Sequence, residues 1–264
     1  MSRIFLTAPA AYFVDESAGS DSNDGASVAT AWKTGTHAYA WCRDHLDLGG
    51  QKVTIQALTN PSTLIVCEGP LIGQNETSDF LFSGAGGPPI TFYNPSIGAE
   101  LFLGKETARF GITGMTLTAP GSGGFGVVCA DGVVDIFNVS FAAMGDAALD
   151  TCGPRALING SQYLVWMPGT NNCGAIAEDG SLVTLNCHLY IDGAVSFADA
   201  FVQADWGGMI DATGAIVTPG AATGKRFNAS LGGKIFAGNY DPNFFPGSLP
   251  GIADASTFGL YHGQ

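Results

Sequence analysis

The chain has 264 residues, of which 46% are hydrophobic, only 12% are charged, and 38 are glycine. That mixture excludes a disordered chain and suits a β protein with glycine at its corners. A formal net charge of −13 argues against nucleic acid or anionic lipid as a partner, and no apolar stretch approaches the ~18 residues of a membrane-spanning helix.

Residues 1–14 form an apolar lead-in ending in Tyr12-Phe13-Val14, a first short strand, and they are too short and too interrupted for a secretory signal. Gly19-Ser20-Asp21-Ser22-Asn23-Asp24-Gly25 follows. It lacks the alternating Asp/Asn order and the downstream glutamate of a calcium loop, so a polar turn is expected and no metal. Thr36 can cap a helix running to Leu48, with Ala38, Trp41, Cys42 and His45 on one stripe and Gly49-Gly50 ending it. Lys52 to Leu58 then reads as a strand.

Residues 61–108 continue with less regular strands, at Leu64-Ile65-Val66-Cys67 and Pro89-Ile90-Thr91-Phe92-Tyr93. From Arg109 to Ala204 the chain repeats every 24 residues, in rows beginning at Arg109, Val133, Leu157 and Ser181. The thirteenth place is Gly121, Gly145, Gly169 and Gly193, and the second is Phe110, Val134, Ile158 and Leu182. Places seven and nine read Met115/Leu117, Val139/Phe141, Tyr163/Val165 and Cys187/Leu189; place six reads Gly114, Asn138, Gln162 and Asn186.

Such fixed-period similarity marks a stacked architecture in which each unit closes its apolar face against the next. The rows are poor in helix formers, and the seventh and ninth places alternate at the strand period. A leucine-rich repeat is excluded because no L-x-x-L-x-L pattern appears, and a β-sandwich stays open as the alternative. The expected fold class is all-β: a right-handed parallel β-helix whose coils rise by about 4.8 Å each. Places seven and nine should face inward, the four glycines should share one corner, and place six should stack as an amide ladder. An N-terminal helix would cover the open edge of the first coil.

A further coil is expected over Trp206 to Val217, and Pro219-Gly220-Ala221-Ala222-Thr223-Gly224 reads as a breaker. Beyond it, Arg226–Leu231 and Lys234–Phe236 would pair as a β-hairpin through Gly232-Gly233. Phe244, Phe245, Leu249, Ile252, Phe258, Leu260 and Tyr261 follow without a period, too apolar for a free tail. The expected division is an N-terminal arm and capping helix (1–60), parallel β-helix coils (61–222), and a C-terminal cap and assembly segment (223–264).

Two stretches carry resemblances. Tyr12 to Leu58, with its short strand, G-S-D-S-N-D-G, T-A-W-K-T and helix, resembles the opening of pectate-lyase-like β-helix proteins, a group that includes lyases, hydrolases and inert phage spikes. Gly224, Arg226, Phe227, Gly233, Ile235, Asn243, Pro246, Gly247 and Tyr261 look like the C-terminal segment of tailed-bacteriophage structural proteins. The chain departs from that pattern at Leu231-Gly232-Gly233 and at Asp241-Pro242. The resemblance implies a virion protein, made in the cytoplasm of a bacterial host, of the head-fibre, decoration or tail-spike kind. It also implies side-by-side association as a homotrimer and contact with other virion structural proteins.

Six cysteines (Cys42, Cys67, Cys129, Cys152, Cys173 and Cys187) show no C-x-x-C spacing and are expected as reduced core thiols. Glycoside hydrolysis needs paired carboxylates. Asp131 and Asp179 share the twenty-third place two rows apart, about 9.6 Å on strand spacing alone, with Asp135 and Glu178 nearby. Aspartate at coil corners is also ordinary turn chemistry. Arg155 is the one Lys or Arg between Gly111 and Gly224, a thin basis for a lyase, and His188 should face away from the core pair. No catalytic, cofactor or metal residue is therefore assigned. The expected function is a non-enzymatic virion component. The alternatives are a spike that depolymerises host surface polysaccharide and a glycan-binding module in which Trp166 or Trp206 stacks on sugar.

Overall fold

Short β-rich segments cannot each bury a face alone, and here they bury it by stacking. The computed structural model describes residues 3–87, 89–218 and 220–263, so Pro219 of the expected breaker lies outside the described residues. The chain is an all-β, right-handed-type parallel solenoid of about eight turns with very little helix.

Three sheets run along its axis, each built from parallel neighbours one coil apart. Sheet 1 starts at Ala10–Val14 and ends at Leu260–Gly263. Sheet 2 runs from Ile90–Tyr93 to Ile216–Thr218. Sheet 3 runs from Ile65–Glu68 to Ile252–Ala253. The interior is filled by columns such as Ile55, Phe82, Ile112 and Ile136, whose residues are in register and buried. Each such side chain contributes about 1.5–3 kcal/mol on leaving water.

The repeat holds where coil lengths are equal. Phe110, Val134 and Ile158 are in register and fully buried, as are Leu117 and Phe141. It slips where a coil gains a residue. Phe137 pairs with Ser161, but Val139 pairs with Leu164. Leu164 and Trp166 therefore occupy the inward positions expected for Tyr163 and Val165, and Tyr163 is 48% exposed. An added residue turns the side chains just after it to the other face, until a second addition reverses them again, as at Cys187 and Leu189, both buried as expected. For the same reason Ile158 pairs with Val183, and Val183 is buried in place of Leu182.

The glycines at place thirteen all lie between sheets 2 and 3 but do not form one column. A Cβ on Gly145 would meet Gly121, whereas one on Gly169 would meet Ala143 and one on Gly193 would meet Pro168. The amide ladder has one rung of the expected kind, Asn138 to Gln162. Asn186 has slipped out of it and accepts instead from the Gly214 amide.

The helix α1 spans Gly35–His45. Its N-cap is Thr34 rather than Thr36, with the Thr34 hydroxyl accepting from the His37 amide. Thr36 has other partners: it donates to the Leu64 carbonyl and accepts from the Val66 amide, which ties α1 to the first strand of sheet 3. The helix ends early because Leu46–Asp47 turns into a short strand paired with Ile4–Phe5. In the Gly19–Gly25 loop, Asp21 accepts from the Lys33 and Thr34 amides, and Asp24 from Ala26 and Thr30.

The C-terminal hairpin is not formed. Ala221–Ala229 adds to sheet 3 beside Ala194–Ala204, and Lys234–Ala237 adds to sheet 1 between Met209–Ala212 and Leu260–Gly263. Leu231-Gly232 is a solenoid corner, so its flanking strands enter different sheets. Parallel coils thus extend on both sides of residues 61–222. Phe245 folds back into the core beside Phe201, with ring centroids 5.9 Å apart.

Candidate functional site

The coils of sheet 3 carry aligned irregularities. The strand register shifts between Met144 and Ala147, between Asn171 and Cys173, and between Ser196 and Ala200. Bulges in successive coils bend a sheet locally and re-aim its side chains. Here they leave a groove on the outer face. Its floor is a small apolar cluster of Ala147, Cys173 and Ile176, packed against Phe125. Asp146, Asn172 and Asp199 line it from the residues around the bulges, and Asp150, Glu178 and Gln203 from further along the same strands.

The groove is acidic. Burial pushes the Asp150 carboxyl up to about 7, and the nearby Glu178, Asp146 and Glu100 charges add to the shift. Glu178 is raised as well, by burial and then by Asp205, Asp179 and Asp146. Burial also raises Glu100. Among the described residues the three ion pairs are Arg43–Asp44, Lys105–Glu68 and Arg155–Asp131, all outside the groove. No described side chain hydrogen-bonds to the Asp150 carboxyl. Amides stand nearby: Asn172 donates to Asp146 at 3.3 Å, and Gln203 donates to Asp205 at 2.7 Å. Such a surface offers carboxylate acceptors, amide donors and one carboxyl that exchanges its proton near neutrality. Among the described residues no group of three His, Cys, Asp or Glu is spaced to hold a metal ion.

The residues weighed from the sequence are scattered. Asp131 is held by Arg155 at 2.7 Å. Asp179 sits at a turn in the left-handed region, φ 52°. Asp135 lies on sheet 1, where it accepts from Asn159 at 2.9 Å, and burial raises its pKa. His188 faces outward on sheet 2, its ring 5.3 Å from that of Tyr163. Trp166 is fully buried and cannot meet a sugar, whereas Trp206 is 62% exposed. Only Glu178 belongs to the groove. Asp146, Asp150 and Asp199 were missed because they fall at different places of the 24-residue frame. The bulges, not the frame, bring them together.

The cysteines are free thiols; all are buried except Cys152, which is partly exposed. Burial lifts Cys129, Cys173 and Cys187 to about 12. No helix of the described residues is long and apolar enough to cross a membrane. Comparison with known protein families, with curated proteins and with solved structures finds no match for this chain.

Proposed function

We propose that this chain is a non-enzymatic structural component of a bacteriophage virion, a head fibre, decoration or tail spike, that assembles as a homotrimer. The observation that carries the reading is the last part of the solenoid. Its own core is closed there by Phe245, yet Leu249, Ile252, Phe258 and Leu260 remain exposed. Apolar surface of that kind is characteristic of an assembly contact. The resemblance of 224–261 to phage structural proteins supplies the class of particle, and virion partners follow from it. The helix α1, bonded to the edge of sheet 3 through Thr36, serves as the N-terminal cap. The test is mass spectrometry of purified virions together with the native mass of the isolated chain. A trimer present on the particle supports the reading; a chain found only in the infected-cell lysate, or a monomer, rejects it.

The acidic groove favours a second reading, hydrolysis or binding of host surface glycan. There Asp150 would act as the proton donor and Glu178 as the companion carboxylate. Release of reducing ends from bacterial capsular or lipopolysaccharide glycans, lost in Asp150→Asn and Glu178→Gln, would replace the first reading with this one. Binding without turnover would leave a glycan-recognition module.

A further inference from the structure

Four positions of the C-terminal pattern, Arg226, Asn243, Pro246 and Gly247, stand far apart in the chain and line one cavity in the fold. Sheet 2 ends at Ile216–Thr218, while sheets 3 and 1 each gain one more strand, at Ile252–Ala253 and Leu260–Gly263. Where sheet 2 would continue, residues 243–247 run instead, with Phe245 seated in the core. The cavity, of about 160 Å³, lies between this segment and Val217 and Ala222 of the coil before it. Arg226 reaches its wall from the strand Ala221–Ala229.

Three of the four residues serve the chain itself. The amide and Nδ2 of Asn243 donate to the Asp241 carboxylate at 2.8 and 3.0 Å, which closes a turn. Pro246 is buried. Gly247 passes so close to Arg226 that a Cβ there would stand 3.1 Å from the Arg226 Cγ. Arg226 carries more than the fold uses. Its Nη1 donates to the Leu249 carbonyl at 3.0 Å, but its Nε is buried and has no hydrogen-bond partner among the described residues. None of their three ion pairs includes it. A guanidinium keeps its charge and offers five N–H donors in one plane. Leaving such a donor buried and unpaired destabilises the fold. The chain holds 23 Asp and Glu against 10 Lys and Arg, so acidic partners are plentiful, and this cation has none of them.

We infer that the cavity binds a carboxylate carried on a small apolar body, gripped by Arg226. This rests neither on the virion reading nor on the glycan reading of the acidic groove. One guanidinium matches the single charge of a carboxylate and accepts its two oxygens side by side. A dianionic phosphate exceeds that charge, and the net charge of −13 opposes it further. Val217, Ala222 and Phe244 supply an apolar wall for the ligand's carbon atoms. The volume suits an acid of a few carbon atoms.

The Arg226 Nε–H group is its own reporter. In proton–nitrogen correlation spectra of the full chain, propionate added at constant ionic strength should move that signal along a saturating curve, and chloride should not. Arg226→Lys keeps the charge but loses the planar fork. It should weaken propionate binding by at least about tenfold, read from the methyl signals of Val217 and Ala222. If that variant does not fold, the parental titration decides alone. A saturating response to propionate supports the site. Equal responses to propionate and chloride, or saturation by inorganic phosphate at a lower concentration than propionate, overturn it. A folded Arg226→Lys that binds propionate as tightly as the parent overturns the role of Arg226. The oligomer and glycan readings stand or fall separately, on native mass and on reducing ends.

Discussion

Asn138 donates from its Nδ2 to the Oε1 of Gln162 one coil away, at 2.7 Å, and both residues have left-handed backbones, φ 54° and 57°. Gly114 occupies the same corner one coil earlier, with φ 67°. The bend needs a residue that accepts positive φ, and asparagine meets that need while its amide joins two coils.

The consequence is separable by substitution. Asn138→Ala loses the rung and adds backbone strain, and should cost about 2 kcal/mol in denaturant unfolding. Asn138→Gly loses only the rung and should cost about 1 kcal/mol. Equal losses in the two variants would show that the backbone at this corner is not strained.

Stability should depend on pH through the groove. The Asp150 carboxyl moves from 3.8 to about 7 on folding, so the folded state binds more protons than the unfolded state between these values. Unfolding free energy should therefore fall as pH rises from about 4 to 7, with the full penalty present above 7. Asp150→Asn removes this contribution and should flatten that interval, gaining stability over the parent at pH 8. A parallel pair of pH profiles for parent and variant would refute the assignment.

Phe245 is 1% exposed and Phe244 lies against the core only in part. Phe245→Ala should cost about 3–5 kcal/mol, and hydrogen exchange should show the loss concentrated in the coils after residue 194. Phe244→Ala should cost clearly less. Exchange that accelerates evenly along the solenoid would mean that Phe245 is not a local closure.

Thr34 and Thr36 have different duties at the start of α1. Thr34→Ala removes the N-cap and should cost about 1 kcal/mol, restored by Thr34→Ser. Thr36→Ala leaves the cap but frees the Leu64 carbonyl and the Val66 amide, and should open the 64–66 edge to hydrogen exchange. Faster exchange at that edge in Thr34→Ala than in Thr36→Ala would reverse the assignment.

The candidate groove was far less legible than the fold. Glu178 drew notice as an acid near a coil corner, but nothing in a 24-residue frame relates it to Asp146, Asp150 and Asp199. They converge because bulges at 144–147, 171–173 and 196–200 fall on adjacent coils. A bulge has no residue signature strong enough to be read in one chain. Trp166, offered as a sugar platform, went to the core because its own coil gained a residue between Ser161 and Leu164.

The sequence by itself determined that the chain is a parallel stack. Short alternating strands recur at one period, with corner glycines and few helix formers, and such units bury their apolar faces only against each other. It also pointed to the amide rung between Asn138 and Gln162, but not to the corner that these residues turn with Gly114. Only the tertiary structure decided the register after Phe137, the seating of Phe245 in the core beside Phe201, and the entry of 226–231 and 234–236 into separate sheets. Register is set by how each coil's total length closes against its neighbours, and an added residue reverses the faces that follow it until another addition restores them. That balance belongs to the stack as a whole and is not encoded at any one position.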